Sequence, residues 1–234
     1  MSTPQDSATH SQPCVIVHHL NDSRSQRILW LLEELEVPYE LKKYNRAADR
    51  TAPKELLEIS PLGKAPVISD GDITLAESGA IVAYLIERYG KDKDHPPVSG
   101  RIDDLYYSHY AEGSLMPLLV QKLIFTIIPQ RAPYLISFLL KTVFGRIIKT
   151  MLDPQVRKHV NLIEGHLATA GTWFAGGENP TSADYMMGFP LEAMVHEMPD
   201  AAGPNMKAYV NNIQNRPAYK RALERGGTYA FAKL

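Results

Sequence analysis

Two short stretches hold residues whose types and spacing could do chemistry. Pro61-Leu62-Gly63-Lys64-Ala65-Pro66-Val67-Ile68 reads as a loop that enters an apolar strand through a proline. Pro66 has no N–H, so it cannot extend a sheet ladder inwards. It can hold a sharp bend, in cis at a cost of only about 0.5–1 kcal/mol. Such a bend aims the backbone N–H and C=O of Val67 at whatever lies alongside. A few residues on, Glu77-Ser78-Gly79-Ala80-Ile81 reads as a helix start, with Ile81, Val82 and Leu85 at helical spacing behind it. Free N–H groups and the positive dipole end at Ser78-Gly79 suit a carboxylate. A kinked strand beside a helix N-terminus makes a site for a short, anionic, extended peptide.

The elements around these stretches can be read from periodicity. Cys14 to His18 is a short apolar run that predicts a buried strand, and His19 to Ser25 reads as a polar turn. In the next helix Ile28, Leu31, Leu32 and Leu35 share one face, with Glu33, Glu34 and Glu36 largely opposite. Val37-Pro38 ends it, and Tyr39 to Tyr44 predicts a second strand. A basic loop over Asn45–Ala52 leads to a short helix over Pro53–Ile59. Asp70-Gly71-Asp72 between Val67-Ile68-Ser69 and Ile73-Thr74-Leu75 is a hairpin signal. The helix from Glu77 runs to Arg88, with Gly90 closing it. This βαβ unit followed by a ββα unit is one α/β layer over residues 14–91, and residues 92–100, with Pro96-Pro97, form a linker.

Residues 101–234 predict an all-α domain. Arg101–Glu112 carries Leu105, Tyr106 and His109 on one face. Pro117, Pro129 and Pro133 punctuate an apolar region that ends near Leu152. Val156–Ala170 is amphipathic, and Trp173 to Gly177 is a loop. Thr181-Ser182-Ala183-Asp184 is a capping box, opening an apolar helix that Pro190 should bend. Met206–Ile213 and Ala218–Arg225 are the last helices. From Gly113 to Leu152 there is no acidic residue, while Lys122, Arg131, Lys141, Arg146 and Lys149 stand among dense Leu, Ile, Val and Phe. That segment could form a deep hydrophobic pocket, a dimer face, or a patch resting on anionic membrane. No uncharged apolar stretch reaches the roughly 18 residues of a spanning helix.

Composition narrows the function classes. The 234 residues are 44% apolar and 22% charged with a formal charge of −1, which is ordinary for a globular protein. No basic excess points to nucleic acid. A single cysteine, Cys14, allows no intramolecular disulfide and fits a reducing compartment. Residues 1–13 are polar, expected to be a disordered tail and not a secretory signal. His18-His19, His159 and His166 lack zinc-ligand spacing, so they read as surface or helix-packing histidines and no metal site is expected. No G-x-S-x-G or phosphate loop occurs.

An α/β domain with the Ala65-Pro66 loop and the Glu77-Ser78 helix start, ahead of an all-helical domain, resembles the glutathione transferases. The pattern Asn21-Asp22-Ser23-Arg24-Ser25-Gln26-Arg27, then Ile28 to Leu35, is similar to the fungal and bacterial, yeast-type serine branch. Tyr106-Tyr107, Ala111-Glu112-Gly113-Ser114-Leu115, Ser182-Ala183-Asp184 and Phe189-Pro190-Leu191-Glu192 add to the likeness, which covers roughly Val15 to the C-terminus. The resemblance implies a thioredoxin-like N-terminal domain, a cis Pro66, and Val67 pairing its backbone with the cysteinyl unit of glutathione. It implies that Ser78 holds the γ-glutamyl carboxylate and Glu77 the ammonium, with Lys64, Arg50 and Lys54 candidates for the glycine carboxylate. It further implies a cytoplasmic homodimer acting in detoxification on small hydrophobic electrophiles, or on hydroperoxides. Tyr106, Tyr107 and Tyr110, with Met116, are candidates to line the electrophile pocket, and the alternative for the tyrosines is that they merely pack helices.

The reaction so implied is attack by the glutathione sulfur. A free thiol has pKa about 8.5, so the protein must favour the thiolate with a hydrogen-bond donor near a helix N-terminus. Ser23 stands where serine-type transferases place that donor, and Asn21 and Ser25 are the reserves. The competing reading is that Ser23 or Ser25 merely caps the helix. With no cysteine at position 23, a mixed disulfide cannot form there. Cys14 is more simply a small buried apolar residue. A scaffold that binds hydrophobic ligands or partners without catalysis is the alternative function.

Overall fold

The computed structural model describes residues 15–49 and 51–232, so Cys14, the 1–13 tail and Arg50 lie outside the described residues. The first part is built on β1 (Val15–Leu20), α1 (Gln26–Leu35), β2 (Tyr39–Tyr44), α2 (Lys54–Leu57), β3 (Val67–Asp70), β4 (Ile73–Ala76) and α3 (Ser78–Tyr89). The sheet order is β2-β1-β3-β4. β1 and β2 are parallel, as a right-handed βαβ crossover requires, while β3 runs antiparallel to β1 and β4 antiparallel to β3. This is the expected thioredoxin-like arrangement. Gly71 supplies the positive φ of 59° that the tight β3–β4 turn demands.

Two expectations change here. β1 does not stop at His18 but continues through His19 to Leu20, because β2 offers Lys43 and Tyr44 as ladder partners. His18 and His19 are therefore buried strand residues, not surface or helix-packing ones. α1 is also buried around most of its circumference, including Gln26 and Arg27. Its one-sided periodicity reflects only the face toward the sheet. The other faces meet α3 and two helices of the second part, α8 (Ser182–Glu197) and α10 (Pro217–Gly226).

The helical part continues with α4 (Arg101–Tyr110), α5 (Met116–Arg131), α6 (Tyr134–Ile147), α7 (Asp153–Ala170) and α9 (Pro204–Asn215). Pro117 does not break the chain's course. A π turn over Ala111–Leu115, in which the Met116 N–H reaches the Ala111 carbonyl, comes just before it. A second π turn, Ile148–Leu152, likewise precedes Pro154. A proline cannot donate to the carbonyl four residues back and its ring crowds that carbonyl. A widened turn there takes up the misfit and keeps the helix continuous. Only Ala132-Pro133, with Ala132 extended, turns the chain back into α6.

Thr181 and Asp184 form the expected capping box. The Asp184 carboxylate accepts from the Thr181 N–H at 2.8 Å and also from the Phe174 N–H and the Tyr209 hydroxyl. Burial raises Asp184 to about 6, against the pull of these donors. His166 and His159 do serve helix packing, the former through Nε2 to the Phe174 carbonyl at 2.8 Å and the latter through Nδ1 to the Tyr110 hydroxyl. One continuous apolar core runs from the sheet through α1 into the helices.

Candidate functional site

Register alone brings three chain segments to one end of the sheet. Val67 opens β3 directly after the cis Ala65-Pro66 bond and sits opposite His18 on one side and Ala76 on the other. β1 therefore ends, and α3 begins, beside it. Ser60 ties the approach loop together, donating from Oγ to the Lys64 carbonyl at 2.9 Å and accepting from the Lys64 N–H at 3.2 Å. Lys64 and Lys54 are exposed around this loop.

Ser78 is the first residue of α3 and is buried, and its hydroxyl finds no hydrogen-bond partner among the described residues. The cap residue, Glu77, has φ 70° and makes no side-chain cap. A non-glycine side chain in that region is strained, and such strain collects at functional sites. Because Glu77 leaves the amides of the first turn uncapped, they and the Ser78 hydroxyl form a donor set for a carboxylate.

On the side of Val67 away from α3, the end of β1 leads into α1 through a chain of three side chains. The Ser23 and Ser25 hydroxyls are 2.7 Å apart, and the Ser25 hydroxyl is 2.7 Å from His19 Nδ1. The Ser25 N–H also donates to Ser23 Oγ at 3.2 Å. Ser25, at the cap position, makes no side-chain cap of α1, and Ser23 takes the Ser25 N–H just ahead of the helix. Ser25 is fully buried, whereas Ser23 is nearer the surface. The wire therefore leads from a buried histidine outward to Ser23. Burial, and then the charge of Lys43, lowers His19 to about 4, so it is neutral at physiological pH. Asn21 spends its Oδ1 on the Arg46 N–H at 2.8 Å and anchors the loop after β2.

Comparison with known proteins bears on what such a site serves. A family model described as glutathione S-transferase, N-terminal domain, matches residues 13–87. The chain is 33% identical over 216 residues to glutathione S-transferase 3 of Schizosaccharomyces pombe, covering 90% of this chain and 87% of that protein. It belongs to the glutathione S-transferase family. It is also 31% identical over 229 residues to glutathione S-transferase 1 of Saccharomyces cerevisiae, covering 92% of this chain and 96% of that one. The crystal structure of a glutathione S-transferase from Actinobacillus pleuropneumoniae superposes with a TM-score of 0.72 at 29% identity, covering 94% of this chain and 96% of that one.

Within this transferase scaffold, the expected electrophile residues fall in different places. Tyr107, Tyr110 and Met116 are buried, and for the two tyrosines this is the helix-packing alternative. The Tyr107 ring is packed against His166 and Phe174, with centroids 4.3 and 4.6 Å away. Burial and the neighbouring Tyr106 push Tyr107 up to about 12. Tyr106 alone of the four is half-exposed, stacked on Tyr110. The face of α4 carrying Leu105, Tyr106 and His109 points to solvent, and Tyr107 and Tyr110 carry the buried one.

One connection went unread in the sequence. Arg27, buried in α1, donates from Nη1 to Glu112 Oε1 at 2.8 Å, and Arg24 Nε stands 3.3 Å from the same oxygen. The π turn that accommodates Pro117 presents Glu112 for this contact. It joins the mouth of α1 to the helical part, and the only trace in the sequence is an acid beside small residues in Ala111–Leu115.

Proposed function

We propose that this family member binds glutathione at the end of the sheet and activates its thiol for attack on small hydrophobic electrophiles, with hydroperoxide reduction as a related use of the same thiolate. The observation that carries this reading is the His19–Ser25–Ser23 wire at the mouth of α1. Its polarity decides whether Ser23 can act. If His19 carries its proton on Nδ1, it donates to Ser25, Ser25 donates to Ser23, and the Ser23 hydrogen is left for the sulfur. In the other tautomer Ser25 donates to His19 and Ser23 to Ser25, and no hydrogen is left for a thiolate. The Nδ1–H form is the catalytic one in this mechanism.

In this reading the Val67 backbone aligns the cysteinyl unit. Ser78 and the α3 amides take the γ-glutamyl carboxylate, Glu77 the ammonium, and Lys64 with Lys54 the glycine carboxylate. The thiolate gains a charge-assisted hydrogen bond from Ser23, so more of it exists at neutral pH. It then attacks the electrophile, and the carbon–sulfur bond forms as the leaving group departs with its electron pair. Exposed Ile73, Ile102, Leu105 and Tyr106 support a homodimer face on β4 and α4. A reducing compartment such as the cytoplasm keeps the co-substrate as a thiol.

The test is turnover of a generic aryl halide with glutathione, beside calorimetric binding of glutathione alone. Conjugation that saturates in both substrates is expected. Binding without turnover would instead favour the non-enzymatic scaffold.

A further inference from the structure

The acid-free segment forms a helical hairpin whose outer end nothing among the described residues covers. α6 has no buried residue and packs chiefly on α5 and on the π turn after it. Its inner side is held by Phe144 against Phe125 of α5, with ring centroids 5.2 Å apart. Its outer end exposes Tyr134 at 93%, Leu135 at 91%, Phe138 at 80% and Leu139 at 62%. Large apolar side chains clustered at such exposure mark an interaction site.

At 100° per residue these four span about 140° of the helix, one continuous face. At about 1.5 Å of rise per residue they cover roughly 7 Å of its length, a compact patch beside the turn. Lys141, Arg146 and Lys149 follow on the same stretch, from about 3 to about 15 Å beyond Leu139 by the same rise. Arg131 stands at the turn. All four cations are exposed and make no ion pair among the described residues, whereas Lys122 is held by Asp153 at 2.9 Å. No carboxylate lies between Gly113 and Leu152. An apolar tip backed by free cations complements an anionic bilayer, whose surface charge attracts Lys and Arg.

We propose that the α5–α6 hairpin docks the protein peripherally on an anionic lipid surface, with Tyr134, Leu135, Phe138 and Leu139 entering the headgroup boundary and Arg131, Lys141, Arg146 and Lys149 at the phosphates. A second copy of this chain is a poorer occupant. A two-fold interface would set these cations against their own counterparts with no acid in the segment to answer them. The continuous helix over Val98–Arg131 is long and apolar enough to cross a membrane on length and composition. Its first half is instead bound into the fold, with α4 packed on α8 and Tyr107 and Tyr110 in the core, so docking is at the surface.

The experiment is co-sedimentation of the full chain with vesicles of phosphatidylcholine alone and of phosphatidylcholine with about one-third phosphatidylserine. Binding at least about tenfold stronger to the anionic vesicles is expected, weakened severalfold at about 0.5 M salt. Leu135→Glu/Phe138→Glu and, separately, Lys141→Glu/Arg146→Glu should each lower that binding about tenfold or more while circular dichroism stays unchanged. These side chains are exposed, so the variants should fold. Failure to bind either vesicle, or binding that ignores both double substitutions, overturns the proposal. So does gel filtration in which Leu135→Glu/Phe138→Glu halves the mass, since the face would then belong to a second copy.

Discussion

The Ser25 hydroxyl stands 2.7 Å from His19 Nδ1, which links a buried histidine of β1 to the first turn before α1. If the Nδ1 proton sets the direction of the wire, His19 is a positioning residue that never touches the sulfur. His19→Leu should then lower kcat about tenfold, the worth of one hydrogen bond, with KM for glutathione nearly unchanged. It should also raise the apparent pKa of the pH–rate profile. His19→Asn can place an amide N–H where Nδ1 was and should recover most of the loss. Equal rates in His19→Leu and wild type would leave Ser23 oriented by something else.

Ser23 itself carries a larger expectation. Ser23→Ala should cost about 10²–10³-fold in conjugation rate, by analogy with removing one preorganised donor. Glutathione affinity should barely move. Asn21→Ala is the control, because its amide already anchors Arg46. Ser23→Cys should exchange conjugation for thiol–disulfide exchange, since a thiol at a helix N-terminus is acidified. An identical pH–rate profile in Ser23→Ala and wild type would remove Ser23 from the chemistry.

What could be read in the sequence follows how locally each feature is determined. β2, the Asp70–Ile73 turn and the Thr181–Asp184 box depend on alternation, glycine φ and i to i+3 contacts, all visible in a few residues. The last two residues of β1 depend on a partner strand more than twenty positions on, so His19-Leu20 looked like turn. α4 misled because its more hydrophobic stripe, Leu105 with Tyr106, faces outward while Tyr107 and Tyr110 fill the core. The position of Ser23 was legible from its motif. Its link to His19 was not, because a hydroxyl wire is a fact of three dimensions and both serines resemble ordinary caps. Glu112 and Arg27 lie 85 residues apart, and only the packing of α1 against the π turn reveals the pair.

The α3 donor set makes its own prediction. Ser78→Ala removes one charge-assisted hydrogen bond to the γ-glutamyl carboxylate and should weaken glutathione binding by about 1.5–3 kcal/mol. The conjugation rate at saturating glutathione should stay close to wild type. Calorimetry on a folded Ser78→Ala variant with unchanged affinity would place the carboxylate elsewhere.

The Arg27–Glu112 pair should matter more for stability than for binding. Arg27 is fully enclosed, and its Nε and Nη2 have no hydrogen-bond partner among the described residues. Burial depresses its pKa, and Glu112 is the main group that opposes this, ahead of Tyr229. Glu112→Leu leaves that cation without its counter-ion and should cost about 3–5 kcal/mol. Arg27→Met added to Glu112→Leu should restore much of the loss, because the desolvated charge goes with it. Urea unfolding of the two variants decides the matter, and an unstable double variant no better than the single would refute this account.

Acid should weaken the fold through His19. Its folded value is lowered to about 4 by burial and then by Lys43, against 6.5 for an ordinary histidine. Between those values the unfolded chain binds a proton that the native protein refuses, so this group makes stability rise with pH from about 4 to about 6.5. The full span is worth about 3 kcal/mol at 1.36 kcal/mol per unit. His18 and His159 are also lowered by burial and act in the same direction. Asp184, raised to about 6 by burial, and Glu192, raised for the same reason, act oppositely, since each is protonated in the native state where the unfolded chain has lost its proton. The wild-type curve alone therefore mixes opposing slopes. The difference between wild type and His19→Asn isolates the histidine, because the other groups are common to both. Urea unfolding at intervals from pH 4 to 8 should show that difference climbing by about 3 kcal/mol up to pH 6.5 and level above pH 7. A difference that stays flat across the range would mean that His19 titrates alike in the folded and unfolded chains.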